Sequence, residues 1–316
     1  MDLPDEYDIA SHGRMLRDRI RVSAYVEALR SAVTSDSVVL DIGTGVGFFA
    51  VVAAKLGARR VIGVEQDATV YVARGVVEDN DVTDIVTLIK GSSLGLELTE
   101  LADIVVSDLR GVLPLYGRHL SAIIDARERL ARPGAVLIPR KDDLFVAVAS
   151  CDQIYRTFEQ PWSGFSDGIT LEFARQFAVN SSAGVQGEPG MLLGRPQMWT
   201  TLDYTALTEI NAQGAVVSRV DRPGSAHGLL VWFDASLTPE VGYSNAPGAS
   251  RCVYGQMFFP FERAVAVEEG DQVSIEIAAR AHEGGYLWSW NTRIIRCGHS
   301  IEVFRQSTVR GWVIPP

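Results

Sequence analysis

Cysteine is scarce in this chain. Cys151, Cys252 and Cys297 are the three present among 316 residues. An odd number so widely spaced builds neither a disulfide framework nor a zinc site, so no metal is expected. No run of 18 or more apolar residues occurs, so no membrane span is expected. The opening, residues 1–6, is acidic and has no apolar signal core, which makes a cytoplasmic location the expectation. Basic charge is short as well, with 29 Lys and Arg against 39 Asp and Glu and a formal net charge of −10. That balance argues against nonspecific nucleic-acid binding and against an anionic membrane surface, and it permits a basic substrate without requiring one. There is no internal repeat and no low-complexity tract. What is present is ordinary globular material, 47% hydrophobic and 22% charged, enough for one large domain or two ordinary ones.

The stretch that organises the rest is residues 38–47, Val-Val-Leu-Asp-Ile-Gly-Thr-Gly-Val-Gly, followed by a helical run over 48–56. A strand, a glycine loop and a helix place a nucleotide-type ligand at the C-terminal end of the strand. The glycine spacing decides which ligand. A dinucleotide fingerprint starting at Gly43 needs glycine at 48, where Phe48 stands. The glycines let the backbone turn tightly and approach a ligand closely. Asp41 beside them would repel a pyrophosphate and suit a cationic ligand. S-adenosylmethionine carries an ammonium and a sulfonium and no phosphate. A second strand, 59–65, ends in Glu65, at the distance where a carboxylate takes hydrogen bonds from both ribose hydroxyls.

Apolar residues at helical spacing, among them Met15, Leu16, Ile20, Tyr25 and Leu29, predict helix over 8–33. The same segment is the most basic part of the chain, and one or two of its arginines are available to a ligand carboxylate. Strands are predicted at 86–90, 102–108 and 135–139, with a helix at 120–130 stopped by Pro133-Gly134. Strands alternating with helices imply a doubly wound, mostly parallel Rossmann-like sheet. After a strand at 144–149, the segment 152–180 is rich in aromatics, including Tyr155, Phe158, Phe165, Phe173 and Phe177. Either an oligomer contact or a helix pair buried on its own chain fits it. Residues 181–190 read as a flexible loop. From about 198 to 313 the pattern is all-β, with strands at 215–220, 228–234, 252–259, 272–279 and 286–295, a sandwich or barrel. The expected organisation is a helical segment 1–37, an α/β domain 38–141, and a β-barrel-like domain 142–316 with an arm at 152–190.

With these local sequences, the order of parts resembles the protein arginine methyltransferase family of class I methyltransferases. The likeness rests on 38–47, on 53–65, on 86–91 and on the N-terminal run Met15-Leu16-Arg17-Asp18-Arg19-Ile20-Arg21. It implies S-adenosylmethionine as cofactor, with Arg21 on its carboxylate and His12 close by. Gly43, Gly45 and Gly47 with Asp41 would line its methionine portion, Glu65 and Gln66 its ribose, and Ser92 and Ser93 its adenine, where the family usually has an acid. It also implies a homodimer that pairs through the arm. The family binds guanidinium with two glutamates on the hairpin after the fourth strand. Here the first position is Asp108 and the second is Gly117, and Arg110 adds a cation to the same loop. One aspartate beside an arginine does not reproduce a bidentate carboxylate pair. The family's Thr-His-Trp signature is replaced by Cys252-Val253-Tyr254, and its N-terminal tyrosine pattern survives at best as Tyr7.

The polar groups expected near the transferred methyl are Asp108, His119, Tyr116 and His12, and Arg110 joins the first three as a catalytic candidate. Arg110 either meets a substrate carboxylate or phosphate, or pairs with an acid of its own chain. The leading expectation is an N- or O-methyltransferase acting on a small molecule or peptide. The alternatives are a protein arginine methyltransferase with substitute acids, Asp108 with Glu128 or Asp125, and an inactive cofactor-binding or scaffold protein.

Overall fold

The structure, a computed structural model, describes residues 8–164 and 168–311; Tyr7 and Phe165 lie outside the described residues. The expected single helix over 8–33 is two helices, α1 (Ile9–Leu16) and α2 (Arg19–Ala32). The break falls at Asp18, whose side chain caps α2 by accepting the Arg21 N–H. Tyr25, Ala28 and Leu29 form the buried stripe of α2.

The α/β domain follows as β1 (Val38–Ile42), α3 (Phe48–Lys55), β2 (Arg60–Glu65), α4 (Thr69–Asp79), β3 (Val86–Lys90), β4 (Ala102–Ser107), α5 (His119–Asp125) and β5 (Ala131–Ile138). Its five strands are parallel in the order β3-β2-β1-β4-β5. β1 is buried throughout, which is why it reads as a continuous apolar run broken only by Asp41. The order reverses beside β1, between β2 and β4, and the crevice beyond the C-terminal ends of these strands is where such sheets bind ligands. The helix expected over 120–130 stops at Asp125 and continues as one wide turn over Ala126–Leu130. β5 then begins at Ala131 and runs through Pro133-Gly134, expected to lie in a break, because a register shift opposite Ala102 and Ile104 absorbs them.

The second domain comprises β6 (Lys141–Ala149), α6 (Asp152–Glu159), α7 (Glu172–Ala178), β7 (Ala183–Val185), β8 (Gln197–Asp203), β9 (Ala212–Arg219), β10 (Gly224–Ser236), β11 (Gly242–Ser244), β12 (Gln256–Val267), β13 (Gln272–His282), β14 (Gly285–Arg296), β15 (His299–Ser307) and the short α8 (Thr308–Gly311). One sheet has the order β7-β12-β10-β6-β8, with β11 on β10, and the other the order β15-β14-β13-β9. The sheets meet where β9 crosses β8. A Cβ at Gly214 would lie 1.9 Å from the Trp199 carbonyl oxygen, so this approach requires glycine. The architecture is a doubly wound Rossmann-like domain followed by a barrel-like β domain, as the sequence implies.

Local corrections remain. The loop expected over 181–190 contains β7, which pairs with β12. The strand expected over 252–259 starts only at Gln256, which leaves Cys252 to Tyr254 in a loop. In the aromatic segment Tyr155 and Phe158 are buried on the chain's own Trp232 and Phe258, whereas Phe173 is 74% exposed. The segment is therefore part packing and part open surface.

Candidate active site

A cavity of about 760 Å³ opens at the C-terminal ends of the parallel strands, and Met257, Tyr286 and Trp288 of the β domain close its far side. Gly43, the first glycine of the loop, lines it, while Gly45 and Gly47 lie outside its wall. Gly43, Gly45 and Gly47 all have left-handed backbones, with φ of +71°, +53° and +82°. The loop is gripped from above: a Cβ at Gly43 would lie 2.1 Å from Leu109, and one at Gly45 would lie 2.9 Å from the His12 ring on α1. Glu65 lines the cavity with Gln66, Ser92 and Ser93. Its carboxylate accepts the Gly45 N–H at 2.8 Å on one oxygen and the Asp67 N–H at 2.9 Å on the other. Each oxygen keeps a lone pair for a ligand hydroxyl.

Asp41 does something other than expected. It is 2% exposed and takes the Thr44 hydroxyl at 2.6 Å from beneath the loop. Burial pushes its carboxyl up to about 7, against the Thr44 hydrogen bond and with help from Glu65. Asp41 is not in the cavity wall, so it braces the loop and does not present a charge to a ligand.

On the acceptor side, the expected residues divide. Tyr116, Gly117 and His119 wall the cavity, whereas Asp108 and Arg110 lie behind it. Arg21 bonds Asp108 and gives a second N–H to the Met15 carbonyl at 2.9 Å. Tyr254 donates to the other Asp108 oxygen at 2.7 Å, and the Tyr25 hydroxyl is shared between that oxygen at 3.1 Å and the Ser107 carbonyl at 3.0 Å. Arg110 is fully buried. Its guanidinium pairs with Asp142 at 3.0 Å, reaches Asp108 at 3.6 Å, and lies 5.0 Å over the Phe233 ring. Asp142 takes the Tyr204 hydroxyl on its second oxygen, and His119 Nε2 lies 3.2 Å from that hydroxyl. Two arginines and two aspartates therefore neutralise one another inside the domain junction. Arg110 meets an acid of its own chain, not a substrate anion. Burial and the Arg110 charge hold the His119 imidazole down to about 3.

The substitute acids are placed elsewhere. Asp125 is bound by Arg129 at 2.7 Å and Glu128 by Arg127 at 2.9 Å, and neither lines the cavity. Gly117 has φ +51°, so a glutamate there would be strained. Sequence reasoning missed Asp142 and Tyr204. The available signal for Asp142 was an acid opening the apolar strand of residues 144–149. Tyr204 lies outside every strand predicted by residue range and carried none.

Comparisons with known proteins agree with this geometry. Residues 23–125 match the family model of ribosomal protein L11 methyltransferase, and residues 141–291 that of the arginine methyltransferase oligomerization subdomain. The chain is 27% identical over 280 residues to protein arginine N-methyltransferase 8-B of Danio rerio, covering 86% of this chain and 67% of that one. It is 26% identical over 271 residues to protein arginine N-methyltransferase 1 of Dictyostelium discoideum, covering 83% and 79%. Its fold is similar to that of the Trypanosoma brucei PRMT1 enzyme-prozyme heterotetrameric complex with AdoHcy (TM-score 0.86, 23% identity, 95% and 98% covered). It is also similar to Arabidopsis thaliana protein arginine methyltransferase 10 (TM-score 0.84, 23% identity, 95% and 97% covered). Fold and cavity together define a class I methyltransferase. More narrowly, the chain is an S-adenosylmethionine-dependent methyltransferase that resembles the protein arginine methyltransferases.

Proposed function

We propose that this methyltransferase acts on a nitrogen or oxygen of a small molecule or peptide, and that its acceptor is not a guanidinium. One observation carries the reading. Among the described residues, Glu65 is the sole carboxylate in the cavity wall, and Asp108 already has Arg21, Tyr25 and Tyr254 as partners with Arg110 close by. A guanidinium entering the cavity would find no bidentate carboxylate pair to replace its water.

The residues present fit the cofactor. The free lone pairs of Glu65 suit two ribose hydroxyls, Ser92 and Ser93 in the same wall would meet the adenine, and the Gly43 backbone would meet the methionine portion. Arg21 is not in the cavity wall; its two terminal nitrogens hold Asp108 and the Met15 carbonyl, and its Nε is buried without a hydrogen-bond partner among the described residues. Bound S-adenosylmethionine supplies an electrophilic methyl and its own leaving group. The chain supplies position and exclusion of water, which Tyr116, Met257 and Trp288 provide around the acceptor.

A second reading, protein arginine methylation, is favoured by the names of the relatives. A third, a cofactor-binding or scaffold protein, is favoured by the internal neutralisation of Asp108. We also infer a homodimer, on the oligomerization-subdomain match and the exposed Phe173 of the arm. The test is transfer of labelled methyl from S-adenosylmethionine into host-cell extract, separated into macromolecular and small-molecule fractions. Label in small molecules or on non-arginine peptide positions supports the proposal. Dimethylarginine overturns it in favour of the second reading. Absence of label despite S-adenosylhomocysteine binding favours the third.

A further inference from the structure

His119 is held from behind by hydrogen bonds whose direction can be read. Asp142 accepts from Arg110 on one oxygen and from the Tyr204 hydroxyl on the other. The Tyr204 proton is thereby committed to Asp142, so toward His119 the phenol oxygen can only accept. Nε2 of His119, 3.2 Å away, must then carry the ring proton. Nδ1 is left with a lone pair. It is buried and has no hydrogen-bond partner among the described residues, and His119 is one of the residues of the cavity wall. The imidazole stays neutral, as burial and Arg110 dictate. A buried acceptor left unpaired is costly, and a donor-bearing ligand would recover that cost.

We propose that His119 positions the methyl acceptor by taking a hydrogen bond at Nδ1, and that the acceptor therefore presents an uncharged N–H on a nitrogen that keeps its own free lone pair, as a neutral amine does. This rests on the methyltransferase reading above. Holding the acceptor by its proton turns the lone pair of the same atom away from His119 and toward the methyl. That lone pair forms the new bond to carbon as the carbon–sulfur bond breaks and its electrons stay on sulfur. The positive charge passes to the acceptor nitrogen, and the proton departs with the ammonium product and is lost to solvent after release. His119 is a positioning residue here, since its low basicity suits it to orient a proton and not to remove one.

The experiment is nitrogen NMR of the full chain labelled at histidine, saturated with S-adenosylhomocysteine, with the His119 signals assigned by their loss in His119→Gln. Acetamide and guanidinium chloride are added separately at equal concentration. The expected result is a neutral ring protonated at Nε2 across neutral pH, with the Nδ1 resonance moved by acetamide and not by guanidinium. In parallel, His119→Phe should lower methyl transfer by at least about tenfold at unchanged S-adenosylhomocysteine affinity. His119→Asn, whose amide oxygen falls near Nδ1, should recover part of that loss. A proton on Nδ1, an Nδ1 signal indifferent to acetamide, or one moved by guanidinium overturns the inference while leaving the methyltransferase reading intact. Failure to bind S-adenosylhomocysteine sinks that reading and the inference with it.

Discussion

Replacing Arg110 by methionine isolates the ion pair that seals the domain junction. Arg110 and Asp142 are both fully shielded from solvent and pair at 3.0 Å, with the arginine also stacked on Phe233. Removing the guanidinium leaves a buried carboxylate with the Tyr204 hydroxyl as its remaining donor. Breaking a buried pair from one side costs about 3–5 kcal/mol. That is a large share of the roughly 5–15 kcal/mol that holds a protein folded. With a urea m-value of about 3 kcal/mol/M or more for a chain of this size, the midpoint should fall by about 1 M. Burial already pushes the Asp142 carboxyl up, against the pull of Arg110. Without Arg110 it will take a proton instead, so the loss should be smaller at low pH than at high pH. The double variant Arg110→Met/Asp142→Leu removes both charges and should recover most of the stability. The measurement is a double-mutant cycle by urea unfolding at two pH values. Single-variant costs that simply add, within about 0.5 kcal/mol, would refute the pairing.

Three further outcomes are expected. Gly43→Val puts a β-branched side chain at φ +71° and into Leu109, so calorimetry should show S-adenosylhomocysteine affinity reduced at least about tenfold; unchanged affinity would remove the glycine loop from the site. Asp41 stays protonated to about pH 7 when folded but ionises near 3.9 when unfolded, so the folded state holds the extra proton between those values and stability falls as pH rises through them. Asp41→Asn should flatten that fall in urea midpoints, and parallel pH profiles would contradict the buried assignment. Phe173→Asp should convert a dimer to a monomer in sedimentation velocity, and an unaltered sedimentation coefficient would place self-association elsewhere.

The glycine loop and Glu65 were legible because their chemistry is local. The φ values of a tight turn demand glycine, and a carboxylate one βα unit further on falls at the next strand end whatever the rest of the chain does. The same holds for the element types, since period 2 and period 3.6 patterns come from burial of one face. Boundaries were less legible where pairing overrode local preference, as at Pro133-Gly134, which the register shift against β4 admits into β5.

The sequence by itself determined the two-domain order, the place of the cofactor loop and the loss of the second acid at Gly117. Only the tertiary structure decided what became of the charges that remain. Asp108 and Arg110 are two residues apart, yet their partners Arg21, Asp142, Tyr243 and Tyr254 come from α2, from β6, from β11 and from the loop before β12. Whether a buried aspartate is free to hold a ligand depends on which cations the fold brings within a few ångströms in a low-dielectric interior. That proximity is made by long-range packing, which no spacing along the chain records.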